Sequence, residues 1–268
     1  MGVSFGQVIP VTGPTLGFPG SASRLASDVI TARQLLPTAT LNLAFGAPAV
    51  IIPNAAGGGD TFDSVADFIA YYSGTAANAG LVATQFAGFA IREVKTAITW
   101  TAGTTPGVQS VGFYQPGEEA EVKELGSIPV IVAAGVPQSQ QQVYTRVALN
   151  VAQVPGGTVG DVEAISTAAN DSVSTTGTAA SGTTLAVASP SNIVAGQVIS
   201  GAGIAPGTSV VSINGSNVTL SKAVTAALSS TPVVFSNQVA LPNVVFRTGF
   251  IDSVTNVAEV TIKVRNAA

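Results

Sequence analysis

Ser209-Val-Val-Ser-Ile-Asn-Gly-Ser-Asn-Val-Thr-Leu-Ser221 is the stretch whose reading decides the fold. Val211 and Ile213 alternate with polar residues, as do Val218 and Leu220, on either side of Asn214-Gly215-Ser216-Asn217. Alternation with period two gives a strand one apolar and one polar face, and Asn-Gly supplies the positive φ angles of a tight turn. The stretch predicts a β-hairpin. Composition carries the same reading through the chain, with 37 Val, 16 Ile and 28 Thr against only 13 Leu among 268 residues. Side chains branched at Cβ fit a pleated sheet and lose rotamer freedom in a helix. With 29 Gly and 15 Pro punctuating short apolar runs, the expected class is mainly β. The expected architecture is an antiparallel β-sandwich or barrel-like main domain with one or two short helices, plus a small inserted all-β module.

The hairpin lies in a stretch of distinct composition. Residues 166–237 hold two charged residues, Asp171 and Lys222, and one aromatic, Phe235, so they read as a separate unit. Their opening, STAANDSVSTTGTAASG at 166–182, reads as a flexible polar linker. Strands are expected at Thr184–Val187, Gln197–Ser200, Thr208–Ile213, Val218–Ser221 and Pro232–Phe235. Residues 166–237 are therefore read as a β module inserted as a loop excursion into a main domain of residues 1–165 and 238–268. Residues 1–20, broken by Pro10, Pro14 and Pro19, are read as an extended N-terminal arm. On this reading Ala240–Ile262 must pair with strands before residue 166. The final run VAEVTIKVR alternates, with Val260, Ile262 and Val264 on one face and Glu259, Thr261, Lys263 and Arg265 on the other.

In the main domain, strands are expected at Leu41–Phe45, Ala49–Ile52, Phe86–Trp100, Ser110–Tyr114, Ala120–Leu125, Ile128–Ala133, Val143–Ala148 and Val159–Ile165. Gly88 can bend the long third run. One helix is expected: Asp60 or Thr61 caps it, Phe62, Val65, Ala66, Ile69 and Tyr72 recur at helical spacing, and Gly74 ends it. A second, weaker helix is expected around Ser23–Gln34.

Absences narrow the function. Charged residues are 9% of the chain, against roughly 25% in an average soluble domain, and the net charge of −4 argues against a nucleic-acid binder working through a basic patch. There is no Cys and no His, which removes disulfides, thiolate sites and the commonest general base. The N-terminus lacks the pattern of a secretory signal, and no run of about 20 apolar residues suggests a membrane span. Synthesis in a cytoplasm, with no membrane partner, is the expectation.

No motif calls for chemistry. Asp60, Asp63 and Asp67 can in principle hold a divalent cation, but a helix cap and a solvated face explain them more simply. Gly201-Ala-Gly-Ile-Ala-Pro-Gly207 lacks the spacing and Lys of a phosphate loop and reads as a Pro-Gly turn. Glu118, Glu119, Glu121 and Glu124 can supply a hydrolytic acid–base pair, but read better as a turn and a polar strand face. Ser221 and Lys222 are strand neighbours that point apart, so they form no dyad. Asn170, Asn214 and Asn217 match the glycosylation pattern by chance. Trp100, Phe113 and Tyr114 read as core, with contact anchors as the alternative. No catalytic, cofactor-binding or metal-binding residue is assigned.

Two stretches carry a resemblance: GFYQPGEEAEVKELGSIPVIV at 112–132 and NQVALPNVVFRTGFIDSVTNVAEVTIKVRN at 237–266. Both resemble the structural cement, or head decoration, proteins of tailed bacteriophages. The shared features are the Pro116-Gly-Glu turn, the Glu124-Leu-Gly-Ser-Ile corner, Leu241-Pro-Asn, Thr248-Gly, Asp252 and Val257-Ala-Glu-Val. The inserted module departs from that pattern and is similar to a small Val/Gly/Thr-rich module of various phage particle proteins. The resemblance implies a non-enzymatic virion protein without cofactor, made in the host bacterial cytoplasm. It implies binding to the major capsid protein on the outside of the head, bridging of neighbouring capsomers, and a homo-oligomer, trimer or dimer. Other classes stay open: another particle component (tail, fibre or baseplate), a cell-surface adhesin-like module, or a carboxylate-based glycan hydrolase. An adhesin calls for an export signal, which Met1 followed directly by folded sequence argues against. A hydrolase calls for aromatic sugar platforms, which one Trp and four Tyr supply poorly.

Overall fold

The computed structural model describes residues 19–20, 28–53, 59–70, 76–92, 112–149, 157–164, 172–252 and 256–264. In chain order these hold strands β1 (Val29–Gln34), β2 (Leu43–Ala44), β3 (Pro48–Ile52) and β4 (Thr61–Ser64), then helix α1 (Val65–Ala70). A 3-10 segment, Ala76–Leu81, runs into helix α2 (Val82–Gln85), followed by β5 (Phe86–Ala90), β6 (Phe113–Tyr114), β7 (Glu119–Ala134), β8 (Gln142–Arg146) and β9 (Val162–Glu163). The remaining strands are β10 (Ser172–Ala179), β11 (Thr184–Val187), β12 (Val198–Gly201), β13 (Thr208–Asn214), β14 (Asn217–Leu220), β15 (Leu228–Ser236), β16 (Gln238–Phe246) and β17 (Val257–Ile262). The protein is mainly β, as its composition predicts, with two short α-helices among the described residues.

The 16-residue β7 belongs to two rings of strands. Its first half pairs with β1 and β5, β5 pairs with β3, and β3 with β4. A parallel bridge between Leu35 and Phe62 returns from β4 to the end of β1 and closes the ring. Leu35, Ile51, Phe62, Ala90 and Val122 fill it, with Leu43 and Tyr114 added from the β2–β6 ribbon. The second half of β7 pairs with β17, which pairs with β16, then β8, then β9, and β9 runs parallel to the end of β7. Ile128, Val130, Val132, Val143, Leu241, Val244, Phe246, Val260 and Ile262 fill this second ring. Period-two alternation along β7 points Ile128, Val130 and Val132 inward and leaves Ile131 exposed.

Gly126 marks the passage between rings. Its φ is +112°, a value disfavoured for residues with Cβ, and a Cβ there would run into Asp28 Oδ1. The expected Ala120–Leu125 and Ile128–Ala133 are thus one strand bent at a glycine, not two strands.

β10 to β15 close into a six-stranded barrel in the order β10-β11-β14-β13-β12-β15. The decisive hairpin is β13–β14: Asn214 pairs with Asn217 across Gly215-Ser216, and Gly215 has φ +58°. Leu185, Ile199, Val210, Val218, Leu220, Val233 and Phe235 form the barrel core. The barrel rests on the rest of the chain at one face. Ser209 Oγ donates to Ala76 O (3.1 Å) and Ala77 O (2.9 Å). Gly80 and Gly207 approach so closely that a Cβ on Gly80 would meet Gly207 O inside van der Waals contact. Val198 of β12 joins a core cluster with Val50, Val65, Phe68 and Val82.

Several expectations need correction. Residues 172–179 are strand β10 rather than linker, because β15 lies beside them and pairs from Ser172 opposite Ser236 to Ala179 opposite Leu228. Thr61–Ser64 is strand, and among the described residues of the expected helix Val65–Ala70 is helical; Phe62, expected on the helix, lies in β4 opposite Ile51. Sheet pairing outweighs helical spacing there. Ser64, not Asp60 or Thr61, accepts the Asp67 N–H (3.1 Å) at the helix start. The weaker helix at Ser23–Gln34 is replaced over Val29–Gln34 by β1, with residues 21–27 outside the described residues. The small-residue run Ala76–Gln85 carries the second helix instead. The parts of Phe86–Trp100 and Ser110–Tyr114 at 93–100 and 110–111, with Tyr72 and Gly74, also lie outside the described residues.

Candidate interaction surface

The acidic groups singled out from sequence serve structure. Asp60 Oδ2 pairs with Arg33 NH1 at 3.0 Å, and the Arg33 guanidinium lies 5.6 Å from the Phe62 ring centroid. Asp63 and Asp67 are both buried, against the expectation of a solvated face. Asp67 Oδ1 accepts from Thr40 N (2.8 Å), Thr40 Oγ1 (2.7 Å) and Leu41 N (2.9 Å). Burial, with the adjacent Asp67 carboxylate, pushes the Asp63 carboxyl up to about 8. Glu118 Oε2 accepts the Gln115 N–H (2.7 Å) and braces the Pro116-Gly117 turn, where Gly117 has φ +84°. Glu119 and Glu121 share one face of β7, whereas Glu124 is buried on the other, so the four glutamates do not converge. Among the described residues no group of three or more His, Cys, Asp or Glu is placed to hold a metal ion.

The remaining motifs are turns and core. Ser221 Oγ accepts the Ser209 N–H (2.9 Å), while Lys222 Nζ donates to Pro206 O (2.8 Å), so the two do not act together. Thr208 Oγ1 donates to Ala205 O (2.6 Å), closing the turn at Pro206-Gly207. Tyr114 is fully buried, with its hydroxyl on Ile91 O at 2.9 Å and its ring edge-on to Phe45; Phe113 is half-buried. Asn214 and Asn217 sit at the hairpin tip, while Asn170 and Trp100 lie outside the described residues.

Two buried ion pairs were not visible in the sequence. Lys123 is fully buried and donates to Asp28 Oδ2 (2.6 Å) and Ser127 O (3.0 Å). Arg146 donates Nε to Glu163 Oε1 (2.6 Å), and Gln238 donates Nε2 to Glu163 Oε2. Arg146, Glu163 and Gln238 come from the neighbouring strands β8, β9 and β16. Glu163 stands just before the chain leaves for the six-stranded barrel and Gln238 just after it returns, so this clasp ties the two ends of the excursion together. The only sequence signal was charge inside otherwise apolar strands.

The free face lies at one end of the second ring. Val136 and Phe250 are exposed there by 65% and 39%, beside the end of the β7–β17 pairing where Val257 faces Ile131, whereas Val264, 57% exposed, follows Ile262 at the opposite end, by Gly126. The loops carrying Val136 and Phe250 meet: Ser139 Oγ donates to Arg247 O (3.2 Å), and Gly249 stands against Pro137 O. Ile131 is exposed on the adjoining strand β7. Apolar side chains gathered on loops held by polar bonds form a surface suited to association. It falls partly within 237–266, the second of the two stretches that carry the resemblance.

No family model matches the chain, and no curated protein matches it in sequence. Among solved structures, the capsid of Myoviridae Phage XM1 resembles it with a TM-score of 0.43 and 14% identity, over 98% of this chain and 99% of that one.

Proposed function

We propose that this chain is a non-enzymatic structural protein of a bacteriophage particle, bound to the outside of the capsid, where it bridges neighbouring copies of the major capsid protein. One observation carries the reading. The two stretches that resemble cement proteins, 112–132 and 237–266, stand more than a hundred residues apart in sequence yet form one unit in the fold. β17 lies antiparallel to β7 from Val257 opposite Ile131 to Ile262 opposite Gly126. Their side chains fill one core, with Ile128 and Val130 beside Leu241, Val244 and Val260. Resembling segments that build a common core support a shared fold unit better than either motif alone.

The physics of the role is simple. A protein that binds only the assembled shell stabilises the assembled state by mass action. Weak contacts suffice when a closed homo-oligomer engages several sites together. The exposed apolar surface at Ile131, Val136 and Phe250 is the contact device the fold offers. Residues 166–237 are an inserted module on this reading, projecting from the main domain. The protein needs neither nucleic acid nor membrane for this role.

The test is addition of purified protein to capsids prepared without it. Saturable binding at a fixed ratio to the shell protein, with increased resistance of the heads to heat, is expected. Absence of binding to intact heads, or binding to isolated tails instead, overturns the reading.

A further inference from the structure

We propose that Asp63 and Asp67 share one proton and act as an alkaline-sensitive latch that holds the connection between β1 and β2 against α1. The inference does not depend on the proposed function. Asp63 is fully buried near the end of β4; Asp67, in the first turn of α1, is buried to 1% exposure. Asp63 Oδ1 accepts the Ser64 N–H at 2.7 Å. Its other oxygen, Oδ2, is buried with no hydrogen-bond donor facing it. A bare carboxylate oxygen in that position is costly, whereas an O–H can donate to the neighbouring Asp67 carboxylate. The Asp67 oxygen Oδ1 is in turn fully committed, receiving the Thr40 N–H, the Thr40 hydroxyl and the Leu41 N–H. The proton on Asp63 thus lets Asp67 remain buried as an acceptor, and Asp67 holds Thr40 and Leu41.

The other charged groups nearby do not supply a counter-charge. Arg33 is engaged with Asp60 before the start of β4, at a partly exposed site. The turn at 157–161 packs Gly160 against α1 and brings Asp161, whose carboxylate is held by Thr158 N and Oγ1. β3 and the segment Ala76–Gln85 bring no charged side chain. Loss of the Asp63 proton therefore leaves two buried carboxylates side by side, and the least costly relief is release of Thr40 and Leu41 to admit water.

The experiment is carbon-detected NMR of the full chain labelled at its aspartate carboxyls, one of seven aspartates being Asp63, with amide-exchange protection of Thr40 and Leu41 followed from pH 6 to 10. The Asp63 carboxyl is expected to titrate near pH 8, and protection at Thr40 and Leu41 to fall at least tenfold through the same range. In Asp63→Asn that protection is expected to persist to pH 10. An Asp63 carboxyl already ionised at pH 6 overturns the proposal, as does protection that stays constant through the titration. The wild-type titration decides the matter even if the variant fails to fold.

Discussion

Lys123 Nζ lies 2.6 Å from Asp28 Oδ2, with Lys123 fully buried, at the corner where β7 passes from one ring of strands to the other. The lysine also donates to Ser127 O, across the Gly126 bend. The pair therefore pins the segment before β1 to the hinge of the longest strand. Removing one member of a buried ion pair leaves an uncompensated charge, at a cost of about 3 kcal/mol. Lys123→Met is expected to lower stability to denaturant by about that amount. Lys123→Met combined with Asp28→Leu is expected to recover more than half of the loss. Equilibrium unfolding of both variants checks this; a single variant as stable as wild type contradicts it.

Asp63 predicts how stability varies with pH. Its ordinary value is 3.8 and burial raises it to about 8. Between those values the folded chain holds a proton that the unfolded chain has released. The stability contributed by this group is therefore complete below about pH 4, declines as pH rises and levels off above about pH 8. Thermal unfolding across that range is expected to show a Tm that falls with pH, and Asp63→Asn a flatter profile over the same interval. Parallel profiles contradict the assignment.

Residues 166–237 are proposed to be an inserted module, and the barrel within them has its own core. Glu163 and Gln238 touch, so the chain ends left by an excision are already adjacent. Replacing residues 166–237 with a short Gly-Ser link is expected to leave a soluble, folded main domain, and a fragment spanning the barrel to fold alone. Circular dichroism and cooperative unfolding of both check this. Loss of all folded protein in both contradicts the module reading.

Phe250→Ser together with Val136→Ser tests the exposed apolar surface. Val136 is mostly in water and Phe250 is 39% exposed, so the double change is expected to lower stability by only about 1 kcal/mol and to leave the protein folded. On the proposed reading, binding to capsids falls at least tenfold. Unaltered binding places the contact elsewhere on the protein.

Much of the β architecture can be read from residue patterns. The Asn214–Asn217 turn, Thr184–Val187 and the alternation of Val260 and Ile262 all lie where period and turn chemistry place them. What escaped depends on tertiary context. A polar run such as Ser172–Ala179 becomes a strand only because β15 and β11 lie beside it. Gly126 reads as a break in sequence and is a bend in space. Lys123, Arg146, Glu163 and Asp63 are hidden because a charged side chain signals solvent until its partner is known, and the partners are up to 95 residues away. The Val136–Phe250 surface escaped for a related reason: two isolated apolar residues become neighbours only when their loops meet.

The central claim is a place on the capsid, and the most direct measurement is the quantitative protein composition of purified full particles and of isolated tails from the source virus. The account predicts that this chain is abundant in heads, in a fixed simple ratio to the shell protein, and absent from tails. Low copy number in tails, or absence from particles altogether, would contradict it.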